Sequence, residues 1–188
     1  MKAAVEKFMA EKKLSSQLKD YKWEFNLVED KQANAWCMPG GKVVVYTGIL
    51  PITKDENGLA VVMGHEIAHA IAEHGAERMS QSLVQQMGGV ALNVALESKS
   101  AQTKQLWNTV YGVGTQVGVM LPFSRTHESE ADQLGLIFMA IAGYNPNNAV
   151  DFWKRMSQNN SQSVPEIFST HPSDNTRIED IKKHLPEA

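Results

Sequence analysis

The sequence predicts an α+β fold that is mostly α, with a small sheet of about three strands packed on one buried helix. Three observations predict it. Apolar residues recur at helical spacing along most of the chain. Only residues 23–47 switch to alternation and β-branched runs. Leu59 to Ala72 is apolar around most of a helix, yet carries His65, Glu66 and His69, so a central helix with a polar task is expected.

Taken in order, residues 1 to about 20 place Val5, Phe8, Met9, Leu14 and Leu18 near helical spacing among Lys and Glu, an amphipathic helix. Trp23, Phe25 and Leu27 alternate with polar neighbours. Asn34-Ala35-Trp36 and Pro39-Gly40-Gly41 punctuate, and Lys42-Val43-Val44-Val45-Tyr46-Thr47 reads as a strand. Thr53, Asp55 and Asn57 offer caps to a long helix from about Glu56 to Gly88-Gly89, with helical pattern resuming from Val90 to Leu96. Residues 97–105 are a polar connector. In 106–121, Gly112, Gly114 and Gly118 would allow close packing against another helix, the apolar run 117–123 is expected in the core, and Pro122 is expected to end the helix. Helices follow at 124–142, 147–158 and 174–184, with a break at Gly143-Tyr144-Asn145-Pro146. Residues 159–169 are rich in Asn, Ser and Gln, and 159–173 is expected to be a loop beside the active site.

Composition narrows the function classes. The 188 residues suit a single globular domain, 1–188. A net charge of −3, with no basic run longer than Lys12-Lys13 or Lys182-Lys183, gives no electrostatic footprint for nucleic acid. The single Cys37 excludes an internal disulfide and a Cys-based zinc cluster, and fits either cytoplasm or periplasm. No apolar run reaches the ~18 residues of a membrane span. Met1–Lys7 lacks the apolar core of a signal peptide, which leaves room for an export signal or lipid anchor in a longer precursor.

The chemistry concentrates in His65-Glu66-Ile67-Ala68-His69. At about 100° per residue, positions four apart differ by only about 40°, so both imidazoles reach one metal ion. Glu66 is rotated by about 100° from His65 and lies beside the metal, placed as a base toward an attacking water rather than as a ligand. A catalytic zinc takes three protein ligands, so one more is needed downstream. His74 falls about 180° round the same helix from His65, and Ala72 and Gly75 exclude the metzincin spacing. Glu128 and Asp132 lie one turn apart at the start of a predicted helix. Glu128 can bind the metal while Asp132 accepts the outer N–H of a ligand imidazole. His127 is the competing ligand, about 100° away from Glu128. Glu130 faces elsewhere.

HEIAHAIAEHGAER, FSRTHESEADQLG, STHPSDNTRI and the earlier NAWCMPGGKVVVYTGIL resemble, in order and spacing, the gluzincin metallopeptidases of the HtpX and CAAX prenyl endopeptidase family. Within it the chain is most similar to the small soluble branch with BepA-like and LoiP-like proteases, over roughly residues 20–185. The resemblance implies a zincin-like domain, one Zn2+ per chain held by His65, His69 and Glu128, Glu66 as catalytic base, and Asp132 as a supporting carboxylate. It also matches His171-Pro172 and Arg177 to a C-terminal family segment. His171 would stabilise the oxyanion or close the metal site, and Arg177 would hold the loop through a carboxylate or stabilise charge.

The function implied is a zinc endopeptidase of unfolded or misassembled polypeptides. The alternative is a latent, chaperone-like binding factor with His171 closing the zinc site. An extended polypeptide would add as a strand along Val43, Val44, Val45 and Tyr46, taken as an edge. The resemblance alone places such a protein in the bacterial periplasm or on the periplasmic face of the outer membrane. Oligomeric state is not legible.

Overall fold

A computed structural model describes residues 1–158 and 175–188. Within them the chain clusters into two compact units, one of 1–72 with 128–188 and one of 73–127.

The first unit is built round its apolar helix. Helix α1 (Lys2–Glu11) buries Ala4, Val5 and Met9, at the spacing that gives a helix one apolar face. Strands β1 (Glu24–Val28), β2 (Ala35–Met38) and β3 (Lys42–Tyr46) form a three-stranded sheet in the order β1-β3-β2. β1 runs parallel to β3 and β2 antiparallel to it. The turn from β2 to β3 uses Gly40 and Gly41 at φ of 88° and 87°, where a Cβ would be strained.

β3 is therefore the inner strand. Its Val43 pairs with Phe25 on one side and Cys37 on the other, so its backbone groups are committed to two ladders. The expectation that Val43, Val44, Val45 and Tyr46 offer an edge is corrected. Alternation showed that one face is buried, with Val43 and Val45 inside, but alternation does not reveal lateral order. Among the described residues the edges are β1 and β2, and β2 packs on the central helix.

That helix, α3 (Glu56–Ile71), follows the short α2 (Leu50–Thr53). Asp55 caps it, its Oδ1 accepting from Gly58 N at 2.9 Å. Ala60, Val61, Val62, Ile67 and Ala68 are buried in it; full burial of a side chain the size of Ile67 is worth about 1.5–3 kcal/mol. The Tyr21 hydroxyl donates to Ala70 O at 3.0 Å and fixes its last turn. Helix α6 (Leu121–Ile141) runs from residue 128 onward in this unit, joined by α7 (Asn148–Gln158) and α8 (Asn175–His184). α7 packs on α3, and α8 on α7. Arg155 ties α7 to the end of α2 by donating from Nε to Ile52 O at 3.0 Å.

The long helix expected from Glu56 to Gly88 is two. Its break lies at Ala72 and Glu73, and Glu73 adopts a left-handed φ of 57° just before α4 (His74–Ala95). A non-glycine residue there leaves no mark in the apolar pattern.

The second unit is a hairpin of α4 and α5 (Ala101–Thr115), whose C-terminus continues through a π turn at Gln116–Met120 into α6. Pro122 is the second residue of α6, directly after the π turn, rather than the end of a helix. Val117, Val119 and Leu121 are exposed, so the core packing expected of 117–123 does not occur for them. A Cβ at Gly112, Gly114 or Gly118 would meet nothing within 4 Å. The close approach is instead at Gly88, where it would lie 2.1 Å from the Tyr111 hydroxyl.

Candidate metal centre

His65 and His69 stand one turn apart on α3, and their Nε2 atoms are 3.1 Å apart. Glu128, on α6, places Oε2 3.3 Å from His65 Nε2 and Oε1 3.3 Å from His69 Nε2. Donors bound tetrahedrally to zinc at 2.0–2.1 Å lie about 3.3 Å from one another. The triangle therefore has the dimensions of three ligands of one zinc, and the two-imidazole, one-carboxylate chemistry fits that metal. Among the described residues these three form a group able to hold a metal ion.

Behind the triangle, Asp132 Oδ1 is 2.9 Å from His65 Nδ1, so this ring nitrogen donates to the carboxylate and turns Nε2 toward the other donors. Arg177, from α8, is buried and donates from Nε and Nη2 to both Asp132 oxygens at 2.7 Å, and from Nη1 to Glu128 Oε2 at 3.0 Å. Its guanidinium lies 3.4 Å over the Trp153 ring. Its carboxylate partners are both on α6. Trp153 carries no chemistry that singles it out in the sequence.

These charges set each other's protonation. Burial and the Arg177 charge push the His65 pKa down, but Asp132 and Glu128 outweigh them and raise it from 6.5 to about 9. Burial pushes Asp132 up, while Arg177 and His65 prevail and hold its carboxyl below the usual range. Burial, reinforced by the Glu66 charge, pushes the Cys37 thiol up to about 12. Glu66, itself 5% exposed, therefore acts on β2.

What brings α6 to α3 is a pair of glycines. A Cβ on Gly64 would lie 2.9 Å from Gly135 O, and one on Gly135 would lie 3.0 Å from His65 N. Glu128, Asp132 and Gly135 fall within about 60° on α6, so one face carries ligand, support and close approach. Sequence reading found the first two and missed the glycine, though its spacing from Asp132 could have revealed it.

His74 and His127 lie in the second unit. Both are buried, their rings stack at 4.1 Å, and His127 Nε2 is 3.0 Å from Glu77 Oε2. His127 is not one of the three grouped donors. Glu130 is exposed. His171 and the loop 159–173 lie outside the described residues.

Comparison with known proteins gives the family. The description "Peptidase family M48" matches residues 1–185. The chain is 39% identical over 175 residues to mitochondrial metalloendopeptidase OMA1 of Schizosaccharomyces pombe, covering 92% of this chain and 50% of that protein. It is 31% identical over 181 residues to the human mitochondrial metalloendopeptidase OMA1, with coverages of 88% and 33%. Against the beta-barrel assembly-enhancing protease of Escherichia coli it is 30% identical over 169 residues, covering 85% and 34%. It thus spans half the length of the fungal relative and about a third of the other two. With its HExxH helix, its downstream glutamate and a match over residues 1–185, this chain belongs to peptidase family M48.

Proposed function

We propose that this chain is a zinc-dependent endopeptidase domain acting on extended segments of unfolded or misassembled polypeptides. The observation that carries the reading is the donor triangle of His65, His69 and Glu128, with Glu66 the next residue on the same buried helix. Bound zinc would be held by those three side chains and would supply Lewis-acid polarisation of the scissile carbonyl.

Glu66 takes a proton from the attacking water and delivers it to the leaving amide nitrogen, so water's elements are divided between the new carboxyl and the new amine. Asp132 keeps His65 in the tautomer whose Nε2 would be available to bind zinc. Arg177 holds Asp132 and Glu128 in place from behind and is a positioning residue. The peptide lies along β2 rather than β3. β2 is a sheet edge among the described residues, packs on α3, and its Cys37 feels the charge of Glu66. Backbone pairing of this kind reads extended conformation more than side chains, as suits an unfolded substrate. The resemblance alone supplies His171 to this reading, as oxyanion donor or as a group that closes the metal site. A bacterial-envelope setting draws on the likeness to the assembly-enhancing proteases, whereas the mitochondrial relatives share the same chemistry.

The test is degradation of casein by zinc-loaded protein beside Glu66→Gln and a chelated sample. Cleavage should disappear after chelation and fall by about 10²–10⁴-fold in Glu66→Gln, with zinc content unchanged. A Glu66→Gln protein as active as wild type removes Glu66 from the role of base. No cleavage by the zinc-loaded wild type sinks the enzyme reading.

A further inference from the structure

The hairpin of α4 and α5 exposes broad apolar faces and joins its arms by polar side chains, while Gln86, Asn93, Asn108 and Gln116 are exposed beside them. Residues 79–96 and 105–124 contain no Asp, Glu, Lys, Arg or His; the charges of this region sit at its ends, at Glu77, Arg78 and Arg125, in the connector, at Glu97 and Lys99, and on the first turn of α5, at Lys104. On α4, Leu83, Met87, Val90 and Val94 fall within about 60° of one another and are 58–67% exposed. On α5, Leu106, Val110 and Val113 do the same at 51–63%, and Trp107 widens that face at 50%.

The seam between the arms is polar. Gln85 donates to the Thr115 hydroxyl at 2.7 Å, Asn108 to Asn93 Oδ1 at 2.9 Å, and the Tyr111 hydroxyl to Gln85 O at 2.9 Å. Three polar side chains beside the apolar faces bond to the backbone of their own helix. The Ser80 hydroxyl donates to Ala76 O, the Asn93 amide to Gly89 O, and the Thr109 hydroxyl to Gln105 O.

In water this arrangement is inverted: the apolar surface gains nothing, and the hydrogen bonds compete with solvent. In hydrocarbon each feature is favourable, because polar groups must find partners within the protein and helices associate through interhelical hydrogen bonds and close contacts such as Gly88 with Tyr111. We propose that the hairpin inserts into a lipid bilayer and seats the domain on a membrane surface. A hairpin docked by one face on a protein keeps charged residues on its solvent side, and interfaces carry a polar rim. Over residues 79–96 and 105–124 neither arm has a charge on any side. No helix among the described residues is long and apolar enough to cross a membrane, so the hairpin lies in the bilayer interface rather than spanning it. The proposal stands apart from the peptidase reading, since insertion is measured without cleavage.

The experiment is flotation of the full chain with phosphatidylcholine vesicles, uncharged overall to match uncharged arms. Wild type should float with the vesicles at low and high salt, and brominated acyl chains should quench fluorescence that Trp107→Phe removes. Leu83→Asp combined with Val113→Asp, both at exposed positions, should lower partitioning by at least about tenfold while helical circular dichroism is unchanged. Folded wild type that stays in the aqueous fraction overturns the proposal. So does a dimer in vesicle-free buffer that the same Asp pair dissociates, which would make a second copy of the chain the occupant.

Discussion

Replacing Arg177 with Ala separates a clamp from a catalytic group. The guanidinium makes charge-assisted bonds of 2.7, 2.7 and 3.0 Å to two buried carboxylates, and it stacks on Trp153. Breaking a buried ion pair by removing one partner costs about 3–5 kcal/mol. In the metal-free protein Asp132 keeps His65 as a second cationic partner, which favours the lower end, about 3 kcal/mol. For a domain of this size that corresponds to a fall in Tm of roughly 10 °C. Thermal unfolding of metal-free Arg177→Ala and wild type measures it. Repeating the melts with zinc should narrow the gap, because the metal's charge then balances Glu128. Arg177→Lys should recover part of the loss, since one ammonium cannot span both carboxylates and stack. A metal-free Arg177→Ala that melts with wild type refutes the clamp. A variant with normal stability and zinc affinity but no cleavage would return Arg177 to stabilising charge on the substrate.

The remaining predictions concern the same cluster. The raised His65 pKa stabilises the metal-free fold by about 3 kcal/mol, fully below pH 6.5 and progressively less as pH rises through about 9. The depressed Asp132 pKa contributes above its ordinary 3.8 and is lost as pH falls through its lower folded value. Metal-free stability should thus be highest between about pH 4 and 6.5 by denaturant titration, and a flat profile up to pH 10 would contradict the His65 assignment. Zinc affinity should climb with pH to about 9 and then level, because the metal displaces the His65 proton; calorimetry in buffers of different ionisation heat reads that proton directly. Asp132→Asn should weaken zinc binding by about 10–100-fold, and equal affinity would show that His65 does not need it. Gly135→Ala pushes a methyl against the His65 backbone and should cost about 1–3 kcal/mol with weaker zinc binding, whereas Gly143→Ala, where no neighbour lies within 4 Å, should leave zinc affinity intact.

Much of this site was legible because its parts obey the helical period. His65, His69, Glu128 and Asp132 are pairs at i, i+4, and the structure brings them together. The three strands were legible from alternation at Phe25 to Leu27 and the valine run, but their order was not, since lateral neighbours are chosen by tertiary packing. β1 is exposed at every residue, so its Phe25 and Leu27 mimic a core face. Glu73 breaks a helix with no breaker residue. The apolar run 117–123 announced helix correctly and burial wrongly at Val117, Val119 and Leu121, because an apolar pattern does not report what medium covers it.

The order of the chain through the centre has a consequence for how such a domain can diverge. Both histidines precede the hairpin and the glutamate follows it, yet the ends of that excursion meet at 3.3 Å. The Gly64–Gly135 contact lies wholly within the first unit, so it fixes the separation of the donors without reference to the path between them. Closing a loop twice as long costs only about 0.6 kcal/mol more. The segment between α3 and α6 is therefore free to lengthen, shorten or change its surface while the ligand triangle stays constant, and one chemical core can be carried to different addresses by exchanging a single insert.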